Sequence, residues 1–165
     1  MVEKSIQVPT FSIVVPVYNR PKEITELLKS LCEQTNQNFE IIIVDDGSTK
    51  KCDDQVINFK SMLDVKYFYK ENSGPVLTRN FGNEKSKGNF TIFLDSDCIL
   101  PPNYIQIIQD RLTKEYADAF GGPDKAHKEF TAIQKAINYS MTSFLTTGGI
   151  RGGQLRINKF YPRSF

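Results

Sequence analysis

Two acidic clusters, Asp45-Asp46-Gly47-Ser48 and Asp95-Ser96-Asp97, each close a run of apolar β-formers, Phe39-Glu40-Ile41-Ile42-Ile43-Val44 and Asn89-Phe90-Thr91-Ile92-Phe93-Leu94. In an open parallel sheet all strands point the same way, so carboxylates at two strand ends gather on one rim, where such folds bind ligands. A rim of acids suits a cation or a polyhydroxyl ligand.

The rest of the chain supports a parallel sheet. Strand patterns run from Phe11 to Val17, Phe39 to Val44, Val65 to Tyr69 and Phe90 to Leu94, with a weaker one from Ala117 to Phe120. Between them Ile24, Leu27, Leu28 and Leu31 recur at helical spacing, as do Cys52, Val56, Phe59 and Leu63. Ser48 or Thr49 is placed to cap the second helix, Pro75 to sit in the first turn of a third, and Pro101-Pro102 to open a fourth carrying Ile105, Ile108 and Leu112. This alternation predicts an α/β domain, its sheet covered by helices on both faces. Phe130, Ile133, Ile137, Met141, Phe144 and Leu145 form one more helical stripe, read as core packing, and Gly148 to Gly153 reads as a mobile loop.

Composition narrows the partners. At 165 residues the chain is sized for one domain. Its 21 basic and 19 acidic side chains leave a net charge of +2, which gives no reason to expect nucleic acid. After Glu129 the chain is purely cationic, with Lys135, Arg151, Arg156, Lys159 and Arg163. That stretch is either a solvated basic face or a surface for phosphate or anionic lipid. Three cysteines without a CxxC argue against a disulfide framework and a zinc site, and for a cytoplasmic setting. No segment reaches the roughly 20 apolar residues that a membrane span needs.

The chemistry follows from the acids. Asp-x-Asp at a strand end offers hard oxygen ligands too few to cage an ion, which suits Mg²⁺ or Mn²⁺ completing its shell with water and substrate phosphates. Without the cation, each carboxylate and phosphate charge would repel by roughly 4 kcal/mol at 4 Å and an effective dielectric of 20. Alone, the motif also describes a loop-start pair capping backbone N–H groups. A carboxylate at Asp45-Asp46 can accept hydrogen bonds from ribose hydroxyls or a base N–H. Pro16-Val17-Tyr18-Asn19-Arg20 adds an aromatic face and a guanidinium after the first strand.

The order of these motifs, with Glu71-Asn72-Ser73-Gly74, Arg79-Asn80 and Gly82 between the acidic clusters, resembles glycosyltransferase family 2 from about Phe11 to Gly122. The resemblance implies the GT-A fold, a Rossmann-like mostly parallel sheet. It also implies a nucleotide-sugar donor, a divalent metal (Mn²⁺ or Mg²⁺) and inversion at the anomeric carbon, in the synthesis of polysaccharides or glycoconjugates. Carried over by residue, it gives Tyr18 a stacking role against uracil or another base, with Pro16 and Arg20 beside the nucleotide. Asp46 would hold the base edge and Asp45 support it or the ribose. Arg79 and Ser96 would approach the donor, Asp97 would bind the metal, and Asp95 would contact ribose or the metal. Where many relatives have a further Asp, this chain has Cys98.

The family's downstream Glu-Asp pair, source of the catalytic base, has no counterpart here, and His127, Asp118, Asp124 and Glu129 match no family motif. The expectation is therefore a donor-binding portion of a longer enzyme, truncated at its C-terminus, with the base beyond Phe165. Residues 1–10 would be an extension, 11–125 the nucleotide-sugar-binding core, and 126–165 the start of an incomplete acceptor-side region. A saccharide or lipid-linked acceptor, and peripheral contact with the inner face of the membrane through the basic end, complete the expectation. The competing readings are a sugar-phosphate nucleotidyltransferase, which would carry a Gly-rich loop after the first strand, and a non-catalytic Mg²⁺-dependent nucleotide-binding module.

Overall fold

The computed structural model describes residues 10–121 and 131–142. The chain divides into two compact units, 1–116 and 117–165. The first holds a four-stranded sheet of β1 (Phe11–Val17), β2 (Phe39–Asp46), β3 (Val65–Lys70) and β4 (Phe90–Phe93), in the order β3-β2-β1-β4. Every pairing is parallel. The chain steps from β1 out to β3, then returns to place β4 on the other side of β1. That reversal opens a crevice at the carboxyl ends of β1 and β4, the position at which open α/β sheets bind ligands.

Helices α1 (Pro21–Cys32), α2 (Asp53–Ile57), α3 (Pro75–Lys85) and α4 (Tyr104–Lys114) connect and follow the strands. Side chains of a strand alternate between faces. On one face Val14, Ile42 and Val44 form a cluster with Phe68 and Phe81 packed against it. Phe81 belongs to α3, which comes close because Gly82 has no side chain: a Cβ there would lie 2.4 Å from Val14 Cγ1 and 3.2 Å from Val44 Cγ2. On the other face Ile13, Val15, Ile41 and Ile43 are fully buried, as are Ile24, Leu27, Leu28 and Leu31 of α1. The sheet is thus covered on both sides.

Several sequence expectations are adjusted. The strand β2 continues through Asp45 and Asp46, because β3 pairs with it in register as far as Asp46 opposite Lys70. Helix α2 is regular only over Asp53–Ile57. Beyond it Phe59, Lys60 and Met62 donate to carbonyls three residues back, tighter turns that still bury Cys52, Val56, Phe59 and Leu63. Neither Ser48 nor Thr49 caps α2; its cap position is Cys52, with no side-chain cap bond. Pro101 and Pro102 precede α4 rather than open it, since Asn103 is its cap residue. Burial pushes the Cys52 thiol up to about 12, with the nearby carboxylates of Asp45 and Asp53 adding to it.

The expected strand Ala117 to Phe120 is not one. These residues are irregular, and all but Ala117 are exposed, so the short apolar run has no sheet to join among the described residues. In the second unit α5 spans Ala132–Thr142, as the apolar stripe predicts. Its Ile133 is 74% exposed, contrary to a core role for that residue. The stripe's Phe130, Phe144 and Leu145, the loop Gly148 to Gly153, His127, Asp124, Glu129 and the basic residues Arg151, Arg156, Lys159 and Arg163 lie outside the described residues. Of the described helices none is long and apolar enough to cross a membrane.

Candidate functional site

A cleft of about 500 Å³ opens at the crevice predicted by the topology. Its lining includes Pro16, Tyr18 and Arg20 from the end of β1 and its loop, Asp46 from β2, Arg79 from α3, and Asp95, Ser96 and Asp97 after β4. Eight of the nine candidate donor and metal residues therefore converge, although they span about 80 positions of sequence. The ninth, Asp45, does not line the cleft.

Asp45 and Asp46 are neighbours on one strand and so point to opposite faces. Asp45 is fully buried and accepts hydrogen bonds from the Ser48 N–H at 2.8 Å and from the Tyr67 hydroxyl at 2.6 Å. Burial and then Asp45 hold the Tyr67 phenol well above its usual range, so it remains a donor. Asp45 thereby shapes the turn after β2. Gly47 in that turn has φ +80°, and a Cβ on it would meet the Asn72 nitrogen at 2.7 Å, so only glycine fits.

Asp46 faces the cleft with its carboxylate heavily occupied. Oδ1 accepts from the Lys70 ammonium and from the Ser73 N–H at 2.9 Å, and Oδ2 accepts from the Gly74 N–H at 2.9 Å. Burial alone would raise its pKa, but these donors prevail and hold it below the usual carboxylate value. The Lys70 ammonium also donates to the Glu71 carbonyl and the Ser73 hydroxyl. Asn72 Nδ2 donates to the Asp46 carbonyl at 2.8 Å. The segment Glu71–Gly74 is thus wrapped around one carboxylate.

The acids after β4 are held differently. Arg20 Nη1 donates to Asp97 Oδ2 at 2.8 Å, and Arg79 Nη2 donates to Asp95 Oδ1 at 2.7 Å. The Asp97 and Asp95 side chains are 56% and 66% exposed. Arg20 is positioned by the loop before it: Asn19, at φ +56°, donates its N–H to Ser48 Oγ at 2.8 Å and accepts on Oδ1 from Lys50 N–H at 2.9 Å. Ser48 is thus a stitch between two loops rather than a helix cap. The loop following Asp97 is anchored from α1. Ser30 Oγ accepts from the Leu100 N–H, and the buried Gln34 amide donates to the Pro101 carbonyl at 2.8 Å while accepting from the Ile105 N–H.

As a metal site, Asp95 and Asp97 supply hard oxygens on one wall of the cleft, the donor set that Mg²⁺ and Mn²⁺ use alongside substrate phosphates. Among the described residues no group of three or more His, Cys, Asp or Glu side chains could hold an ion by itself. The residues present fit a metal shared with a diphosphate. Tyr18, 52% exposed at the mouth, offers a ring face for a base. Sequence reading missed Lys70, and gave Asn72 and Gly74 only as part of the family motif and Pro75 only as a helix start. The signal for Lys70 was the strand register, since a basic residue ending β3 falls beside the last acid of β2.

Residues 12–163 match the profile of glycosyl transferase family 2. The chain belongs to that family. An uncharacterized glycosyltransferase of Rickettsia conorii is 42% identical over 96 residues, covering 58% of this chain and 16% of that protein. Chondroitin synthase of Escherichia coli is 34% identical over 125 residues, 74% of this chain and 18% of that protein. Among solved structures, residues 1–349 of S. aureus TarS in complex with UDP-GlcNAc superpose with a TM-score of 0.63 at 30% identity, covering 73% of this chain and 38% of that one. The mannosyltransferase PcManGT of Pyrobaculum calidifontis, in complex with GDP-Man and Mn²⁺, gives a TM-score of 0.62 at 20% identity over 73% of this chain and 36% of that one, and shows the shared fold. The fold is GT-A. The chain spans less than half the length of each of these relatives. Membership in this family sets the chain apart from the sugar-phosphate nucleotidyltransferases.

Proposed function

We propose that this chain binds the donor in an inverting, metal-dependent glycosyl transfer, taking a uridine diphosphate sugar with Mn²⁺ or Mg²⁺. The observation that carries this reading is the convergence of Tyr18, Asp46, Asp95 and Asp97 on one cleft with two arginines among them. Support from relatives is the UDP-GlcNAc complex of TarS and the Mn²⁺ in the PcManGT complex.

The base preference follows from counting lone pairs. A carboxylate offers about four acceptor sites. Lys70, Ser73 and Gly74 donate to Asp46 and Thr78 is a fourth partner, so a bound base must take over the place of one or more of them. Uracil presents a single N–H between two carbonyls and needs one acceptor; guanine presents two adjacent donors and needs two. Asp46 therefore favours uracil, with Tyr18 stacking on the ring and Asp45 holding the turn beneath. Asp97 binds the metal and Asp95 the ribose or the metal's water, with Pro16 and Ser96 shaping the walls and Arg20 and Arg79 facing the phosphates. The metal, when bound, neutralises charge that builds on the departing diphosphate.

No carboxylate beyond Asp97 lines the cleft among the described residues. The named residues bind donor and metal in this reading, and none of them is assigned as the base that activates the acceptor hydroxyl. In this reading the acceptor is a saccharide or lipid-linked hydroxyl, and the basic residues from Arg151 to Arg163 approach an anionic membrane face from the cytoplasm. Calorimetry with UDP, with and without Mn²⁺, tests the core of the proposal. UDP is expected to bind more tightly with the metal, and Asp97→Ala to erase that difference; an undiminished metal effect in the variant rules Asp97 out.

A further inference from the structure

Both carboxylates assigned to the metal already have a cation. Arg20 holds Asp97 and Arg79 holds Asp95, one from the loop after β1 and the other from α3. We propose that these arginines are exchangeable counter-ions: they occupy the carboxylates until a metal arrives with a diphosphate, then pass to the phosphates. This rests on the donor-binding reading above.

Three physical points support the exchange. Both ion pairs are half exposed, and exposed pairs are weak, so displacement is cheap. A guanidinium is permanently charged and its fork matches phosphate as well as carboxylate, so the released arginine has an equally good partner within the same cleft. Charge balance gives the third. Two carboxylates and two guanidiniums are neutral together, and Asp46 is balanced separately by Lys70. A divalent metal entering alone would leave two excess positive charges in the cleft. A metal entering with a nucleotide sugar, whose diphosphate carries two negative charges, leaves none. The arginines thus discourage free metal and reward the metal–diphosphate pair, which is a positive coupling between the two ligands; by linkage it acts equally in both directions.

The role differs from a plain phosphate contact in the sign of one effect. Removing a phosphate contact weakens nucleotide binding and leaves metal alone untouched. Removing an exchangeable counter-ion also makes metal alone bind better. Free Mn²⁺ would be followed by its paramagnetic resonance signal as it is titrated into the wild type, Arg20→Ala, Arg79→Ala and Arg20→Lys, each first checked for an unchanged thermal melt. Each alanine variant is expected to bind Mn²⁺ alone about three- to tenfold more tightly than the wild type. The factor by which UDP enhances Mn²⁺ affinity should shrink in both. Arg20→Lys, which keeps the charge, should stay near the wild type in Mn²⁺ alone. Unchanged or weaker Mn²⁺ binding in both alanine variants overturns the exchange. Failure of the underlying reading looks different: Asp97→Ala would then retain the full metal effect on UDP, whatever the arginines do.

Discussion

At the amino ends of β1, β2 and β3 the carboxylate of Glu40 is shut away, whereas at the carboxyl ends Asp95 and Asp97 stand half in solvent. Glu40 accepts from the Ser12 hydroxyl at 2.7 Å, the Lys87 N–H at 2.6 Å and the Lys66 ammonium at 2.5 Å. Burial alone would raise its pKa, yet these donors hold it at about 2. Asp95 and Asp97 each meet one guanidinium. Both rims combine acids with cations, so charge type does not separate structure from function. What separates them is the number of partners and the water: a carboxylate saturated by backbone and side-chain donors is committed to the fold, and one with a single exposed partner remains open to a ligand.

The largest expected effect is therefore on the rim away from the cleft. Glu40→Ala leaves the Ser12 hydroxyl without its acceptor, the Lys87 N–H with only the longer bond to Ser12 Oγ at 3.2 Å and Lys66 with only Asp64 at 4.0 Å, and should cost about 2–3 kcal/mol of stability in urea unfolding at pH 7. The pH dependence has a definite sign. A carboxyl with a folded pKa near 2 against an ordinary 4.5 contributes stability that is complete above pH 4.5 and is lost as pH falls through about 2. Wild type and Glu40→Ala should accordingly converge toward pH 2. A gap that persists there would mean that the charge of Glu40 is not what the fold uses.

Asp46 crosses the divide, since it sits on the functional rim with a saturation like that of Glu40. Asp46→Ala should weaken UDP binding by about 1.5–3 kcal/mol with or without metal. Equal affinity in calorimetry would move base recognition elsewhere. Lys70 tests the lone-pair count more finely. Lys70→Met should free one acceptor site on Asp46, and the preference for UDP over GDP should fall by about 1 kcal/mol. A preference that does not move would show that Lys70 organises the Glu71–Gly74 segment without selecting the base.

These residues also mark how far the sequence could be read. The rim, the strands and the α1 stripe were legible because they depend on local periodicity and on one topological rule. The division of labour between Asp45 and Asp46 was less so: strand alternation sets them on opposite faces, but only the register of β3 brings Tyr67 to one and Lys70 to the other. The Arg20–Asp97 contact spans 77 positions and has no local signature. Ser48 looked like a cap because the helical pattern that begins at Cys52 follows soon after it; Asn19, folded back at positive φ, donates to its hydroxyl instead. The weak pattern at Ala117 to Phe120 failed for the converse reason, since a strand needs a partner that composition cannot supply.

The smallest predicted effect is the one that holds the comparison together. Asp97→Ala breaks the Arg20 ion pair, yet both side chains are about half exposed, so water takes over the guanidinium and screening has already reduced what the pair contributes. The stability change should stay within about 0.5 kcal/mol, or about 2 °C in the melting temperature. The metal dependence of UDP binding should vanish in the same variant. A residue that governs a ligand while leaving the melt unmoved is one that the fold does not need. Were Asp97→Ala to lose as much stability as Glu40→Ala, the exposed rim would be part of the scaffold, and partner number would no longer separate the acids that build this sheet from those that serve its cleft.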